Sequence, residues 1–399
     1  MIAHAKRCIL CLEKLPLNDA IKRKITDARV VLAGYYLNLG QHVKANDAVV
    51  PVVELAKEID YRKRLAGIYL TIGVYNIWIE ENFSKGFRYL NEAIKISEKE
   101  SDFISLWLST FNLACALSSN CEFEKGVALF SKCLDLSTFA NNLTGIVFTK
   151  AAMSYFNYGF HGKIALAYNT TREALRMAEK SGDIFSQKGT AYTSHGVSCY
   201  HKGYLEEGES RFLTALGFFD RVRILTWEIV AFYFLGNTYF EMGEYEKAEV
   251  YYEKTVSLME DSQFSYSFLT GSKISLAISR ALNGNRNFDL NDLTDNFQKI
   301  KNRIMKGSVV RYIGKALLYI DDQHVGEAED WIKKAIKVNS TNGMMWHLGM
   351  DYALFAEIYR RKGDPSGAKE NLIKAIDILK ECGADGWVKK YEKELASFS

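Results

Sequence analysis

The feature that most constrains this 399-residue chain is a pattern that returns along its length. Residues 232–255 read FYFLGNTYFEMGEYEKAEVYYEKT, with Phe232, Leu235-Gly236, Tyr239, Gly243, Tyr245, Ala248 and Tyr252 in register. Residues 192–215 repeat the order with Tyr192, Gly196, Gly203, Leu205, Gly208, Phe212 and Ala215, and residues 352–375 with Tyr352, Ala356, Tyr359, Gly363, Ala368, Leu372 and Ala375. Small residues at two fixed places let a pair of helices approach closely, and large ones between them fill the gaps. Following the small residue of the second helix gives Gly86, Gly126, about Ala165, Gly208, Ala248, Ala328 and Ala368, in steps of 40, 39, 43, 40, 80 and 40. The step of 80 is two periods, and one period before Gly86 falls at Ala45 or Asn46. A beat of this length means stacked supersecondary units, not independent domains.

This spacing resembles the tetratricopeptide repeat: aromatic, Leu-Gly or Leu-Ala, Tyr, Gly, aromatic, Ala, aromatic, Ala over a helix-turn-helix. The resemblance implies an all-α, right-handed superhelical solenoid of about nine helical hairpins. Forty residues exceed the usual period of about 34, so longer helices and connections are expected. Ser101-Asp102, Ser181-Gly182-Asp183 and Asp261-Ser262 offer N-cap side chains at the joints. Only three prolines occur, Pro16, Pro51 and Pro365, which leaves room for long helices. The weakest unit is 283–306, where Asn283, Gly284, Asn285 and Asn287 favour a turn and Leu290, Leu293, Phe297, Ile300 and Ile304 follow at helical spacing. The chain is therefore divided into an array over 1–282, a degenerate and kinked repeat over 283–306, and closing repeats with a capping helix over 307–399.

Both ends are similar to a family of large bacterial signalling proteins. Residues 381–387, ECGADGW, resemble the terminator of the helical arms of STAND-type predicted ATPases and of their fusions to class III adenylate/guanylate cyclases. Residues 4–40, with Leu15-Pro16, resemble the segment that follows the ATPase domain there. The likeness implies the regulatory or sensor arm of a larger signalling ATPase or nucleotide cyclase, cytoplasmic and bacterial. Neither enzymatic module lies in this sequence.

Motifs that carry chemistry are not found. The string from Gly159 to Ile164, GFHGKI, lacks the spacing and the hydroxyl of a P-loop and reads as a turn between helices. His4, Cys8 and Cys11 share one helical face but have no fourth ligand at a recognisable spacing, so they read as buried residues of an amphipathic first helix. His195 stands where the repeat usually has leucine and reads as packed; His201, six residues on, does not share its face. The carboxylates Glu206, Glu207, Glu209, Glu244, Glu246 and Glu249 read as a solvated outer face. No catalytic residue, cofactor or metal is expected. The chain is expected to be a non-catalytic scaffold.

In tetratricopeptide arrays the first helices line a concave groove. Carrying its inward positions across unit by unit gives Lys150, Ser154 and Asn157; Thr193, Val197, Tyr200 and His201; Tyr233, Asn237, Phe240 and Glu241; and Glu357, Arg360 and Arg361. Their mixture of aromatic, amide and charged groups suits a protein or an extended peptide. The alternative is a small-molecule effector held near 283–306. A net charge of +3, from 51 basic and 48 acidic residues without a like-charge run, does not indicate nucleic-acid binding. No apolar run reaches the length of a membrane span, and seven irregularly spaced cysteines fit a reducing compartment better than a disulfide framework.

Overall fold

The computed structural model describes residues 1–180, 186–222, 224–284, 297–320 and 322–398. Among them the chain is helical from end to end and contains no strand. The opening helices are α1 (Ile2–Leu12), α2 (Asp19–Asn38), α3 (His42–Val49) and α4 (Val53–Glu58). The regular hairpins follow: α5 (Arg62–Trp78) with α6 (Phe83–Lys99), α7 (Phe103–Ser119) with α8 (Phe123–Phe139), and α9 (Leu143–Ala152) with α10 (Ile164–Lys180). Next come α11 (Ser186–Lys202) with α12 (Leu205–Phe219) and α13 (Leu225–Glu241) with α14 (Tyr245–Ser262). The helix α15 (Tyr266–Leu282) follows them. The last hairpins are α16 (Arg303–Ile320) with α17 (Val325–Thr341) and α18 (Met345–Arg361) with α19 (Pro365–Cys382), and α20 (Asp385–Ala396) closes the chain.

The long period has a simple origin. Most helices from α5 onward run 17 residues, joined by very short turns, so the extra length is in the helices and not in the connections. Nearly every helix ends on a residue in the left-handed region: Gly40, Asp60, Glu81, Ser101, Cys121, Asn141, Gly162, Gly203, Gly243, Gln263, Gly284, Gly343, Gly363 and Gly383. This beat of about 20 residues is the hairpin period halved. Asp102 caps α7 through its side chain, as the joint suggests. Asp261 and Ser262, in contrast, belong to the last turn of α14, and the cap of α15 is Ser265. The joint at 181–183 lies outside the described residues, as do Asn285, Asn287, Leu290 and Leu293. Ile304 is not on one helix with Phe297: it opens α16, the first helix of the next hairpin.

The small-residue ladder sits in the seams between paired helices. Ala45, Ala248, Ala328 and Ala368 are fully buried, and a methyl at Gly86 would run into Ile77 of the preceding helix. One rung shifts: Ala165 is exposed, and the seam residue of α10 is Ala167. The helix α1 buries Ile9 alone, so Cys8 and Cys11 are exposed and packing does not account for them.

Successive turns of the coil touch. Lys202, at the end of α11, donates to Gly383 O (2.7 Å) and to Asp385, 181 and 183 residues away. The backbone of Gly203 lies so close to Gly386 that no side chain fits between them. The Trp387 indole donates to Tyr200 O (2.9 Å) and that of Trp346 to His201 O (2.9 Å). On the opposite side, buried Glu81 accepts from Ser265 Oγ (2.9 Å), Ser267 N (2.8 Å) and Ser267 Oγ, about 185 residues on. One hydrophobic core therefore runs from Leu70 to Tyr391, while a smaller one joins α1–α5 from Ile9 to Ile72.

Candidate functional site

Because the coil is tight, much of its inner face is filled by its own side chains. Thr193, Val197, Ser154 and Asn157 are buried; Asn157 donates to Ser118 Oγ (3.0 Å) and Phe123 O (2.7 Å), tying its hairpin to the one before. Lys150 pairs with Glu173 of α10 at 2.7 Å. Tyr233 crosses to α16, where its hydroxyl donates to that of Tyr312 (2.8 Å), and His201 packs edge-on to Trp346.

Farther along the axis the coil opens. A cavity of about 550 Å³ is walled by the C-terminal halves of α11, α13, α15 and α16, by α18 and by α20. Tyr200, Asn237, Phe240, Glu241, Glu357, Arg360 and Arg361 from the expected groove line it. Sequence reasoning missed the rest of the wall, chiefly Arg311, Lys315, Tyr319, Lys390, Tyr391 and Glu394. The first three belong to the hairpin hidden behind the degenerate stretch, and the others to the closing helix, which the repeat pattern does not index.

The charges in this cavity are unevenly shared. Glu241 sits between Lys315 (3.0 Å) and Lys390 (3.5 Å). Burial pushes its carboxyl up, but the two ammonium groups outweigh burial and hold it at about 2. Burial lowers Lys315 against the pull of Glu241, and its amino nitrogen lies 4.1 Å from the centre of the Phe240 ring. Glu357 is likewise shared, by Arg360 Nε (2.7 Å) and Arg361 Nε (3.0 Å). Burial raises Glu394, the third acid. Deeper in, Arg311 donates to His347 O (3.2 Å) and Asp351 Oδ1 (3.3 Å), and Asn339 donates to Asp351 Oδ2 (2.6 Å). Three carboxylates, Glu241, Glu357 and Glu394, thus face the four cations Lys315, Lys390, Arg360 and Arg361 at the mouth, while aromatic rings from Tyr200, Tyr252, Tyr312, Trp346 and Tyr391 form the floor.

The outer carboxylates divide into two kinds. Glu206, Glu244 and Glu246 are exposed. Glu209 accepts from Tyr239 OH (2.6 Å) and Glu249 from Arg280 Nε (3.0 Å), so these two bind neighbouring hairpins together instead of facing only solvent.

The hairpin α13–α14 carries the most regular pattern and also lines the cavity, through Asn237, Phe240, Glu241 and Tyr252. Residues 229–262 match the tetratricopeptide repeat family. The tetratricopeptide assignment covers that hairpin, and the other hairpins share its seam geometry. Among solved structures, a Rap protein complexed with competence and sporulation factor superposes with a TM-score of 0.60 at 12% identity, covering 90% of this chain and 99% of that one. Aspartyl phosphate phosphatase F from Bacillus subtilis gives 0.47 at 13% identity, covering 92% and 96%. A STAND protein with a tetratricopeptide repeat sensor from Pyrococcus horikoshii gives 0.39 at 16%, covering 93% and 55%. The first establishes a shared fold; the other two carry no argument. Comparison with curated proteins finds no match in sequence. Among the described residues no helix is long and apolar enough to cross a membrane.

Proposed function

We propose that the chain is a peptide-binding module that holds a carboxylate-bearing segment of a partner in the cavity between α13 and α20. The observation that carries this reading is the sharing of Glu241 by Lys315 and Lys390, and of Glu357 by Arg360 and Arg361. An incoming carboxylate would complete an ion network that the protein leaves short of anions, against an aromatic floor that suits apolar side chains. The Rap protein of the same fold was solved in complex with competence and sporulation factor, which is consistent with a ligand held by such a coil. Fluorescently labelled short peptides of acidic, neutral and basic composition test the idea by anisotropy. Acidic peptides should bind best, and Lys315→Met with Lys390→Met should weaken them at least tenfold. Equal affinity for all three classes would sink it.

A second reading, a small-molecule effector, is favoured by the cavity's volume, which lies inside the range of about 300–1,000 Å³ usual for such ligands. The wall residues that flank 283–306 in sequence are Ile278 of α15 and Arg311 of α16. A thermal-shift panel of organic acids separates the two, since a ligand at a hundredfold excess over Kd stabilises by about 2.7 kcal/mol. On the resemblance of the chain's two ends, the module serves as the sensor arm of a bacterial signalling ATPase or nucleotide cyclase. Reading the gene upstream of Met1 tests that setting; an unrelated upstream frame ends it.

A further inference from the structure

We propose that His195, Cys199 and Glu207 form a binding site for one divalent transition-metal ion of the zinc class, distinct from the cavity. One ligand atom from each lies within 4.8 Å of the other two. His195 and Cys199 are one turn apart on α11, and Glu207 comes from the first turn of α12, so the short joint between them rigidly sets the spacing. The imidazole is oriented as a ligand would need. The Thr171 hydroxyl lies 3.0 Å from Ala167 O, 3.1 Å from Tyr168 O and 3.1 Å from His195 Nδ1. When Nδ1 donates to that hydroxyl, Nε2 is the ring's ligand atom. Nε2 lies 3.5 Å from a carboxylate oxygen of Glu207. A cation between Nε2 and that oxygen would be held by both, with the Cys199 thiol beside them.

In a tetrahedral zinc site with nitrogen and oxygen ligands at about 2.0–2.1 Å, those two atoms lie about 3.3 Å apart, close to the observed separation. The usual outer support of a metal-bound histidine is a carboxylate, a backbone carbonyl or a water on the far ring nitrogen, and here the Thr171 hydroxyl stands in that place. Cys199 binds as thiolate, its proton passing to solvent, so that thiolate and carboxylate neutralise the dication. Arg211, 3.2 Å from the same Glu207 oxygen, opposes the ion, and the thiolate charge offsets it. Glu207 is 34% exposed, which leaves the fourth position open to water.

Cobalt(II) titration of the chelator-treated full chain tests the site. The expected result is one equivalent bound with a thiolate-to-cobalt charge-transfer band, bleached by one equivalent of zinc. The band should survive Cys8→Ser with Cys11→Ser, which removes the exposed thiols of α1, and vanish in Cys199→Ser. Glu207→Gln, a substitution at the accessible edge, should weaken cobalt at least tenfold with an unchanged helical circular dichroism spectrum. Absence of the band in the unsubstituted chain, its persistence in Cys199→Ser, or unaltered affinity in Glu207→Gln would each overturn the proposal.

Discussion

His42 shows what a single buried side chain costs this fold. It is packed against Phe264, and neither ring nitrogen has a hydrogen-bond partner among the described residues. Burial lowers it to about 4. The unfolded chain therefore takes up this proton first as pH falls, and stability is lost between about pH 6.5 and 4. His42→Leu should raise stability at pH 7 by about 1–3 kcal/mol and flatten the acid slope, as read from urea midpoints across that window. Asp351 works in the other direction. Burial raises it to about 7 despite Arg311, so the stability it contributes is present below about pH 4 and is lost as pH rises through 7. Asp351→Asn should remove that alkaline slope, and midpoints that still fall from pH 5 to 8 would refute this. Neither effect was legible in the sequence, because both depend on what lies opposite: Phe264 in one case, Arg311 and Asn339 in the other.

At the level of the helix pair, the repeat was legible because close packing demands small residues at a fixed interval, and no other element supplies that demand. The structure also separates residues that look alike in the pattern. A methyl on Gly236 would meet the Tyr252 ring at 2.8 Å, whereas one on Gly208 meets nothing nearer than 3.4 Å. Gly236→Ala should therefore cost about 1–3 kcal/mol through overpacking, and Gly208→Ala should gain about 0.5–1 kcal/mol through helix propensity. Equal thermal shifts for the two would contradict the seam geometry. The left-handed helix ends were half-legible: Gly203, Gly243 and Gly363 mark them openly, while Glu81, Ser101 and Cys121 adopt the same conformation without the residue that favours it. Ser101→Gly should stabilise by roughly 1 kcal/mol, since a side chain in that region costs about 1–2 kcal/mol. The rung at Ala165 slipped by two residues to Ala167 because α10 offers alanine at both places and only one turns inward.

Over the whole molecule, the period told that hairpins stack but not how tightly they wind, since pitch arises from small rotations summed over many seams. The cavity wall was accordingly half in view: Glu241 and Arg361 fall at indexed positions, while Lys315 and Lys390 reach it only because later turns curl back over earlier ones. The ECGADGW stretch has a physical reason of its own, for it supplies Gly383, Asp385, Gly386 and Trp387 to the contact with residues 200–203. Trp387→Ala with Lys202→Met should loosen this contact and increase the radius of gyration in solution scattering while helical content stays constant; an unchanged radius would show that the core alone holds the coil shut. In an open array each unit answers only to its neighbours, and units can be added or deleted during evolution. Here, inserting one hairpin anywhere between Gly203 and Gly386 would rotate every later partner out of alignment, as a lock whose wards are cut on two separate plates rejects a key lengthened by one notch. The number of hairpins in this stretch is thus held fixed by geometry, and the chain tolerates drift in residues far better than drift in length.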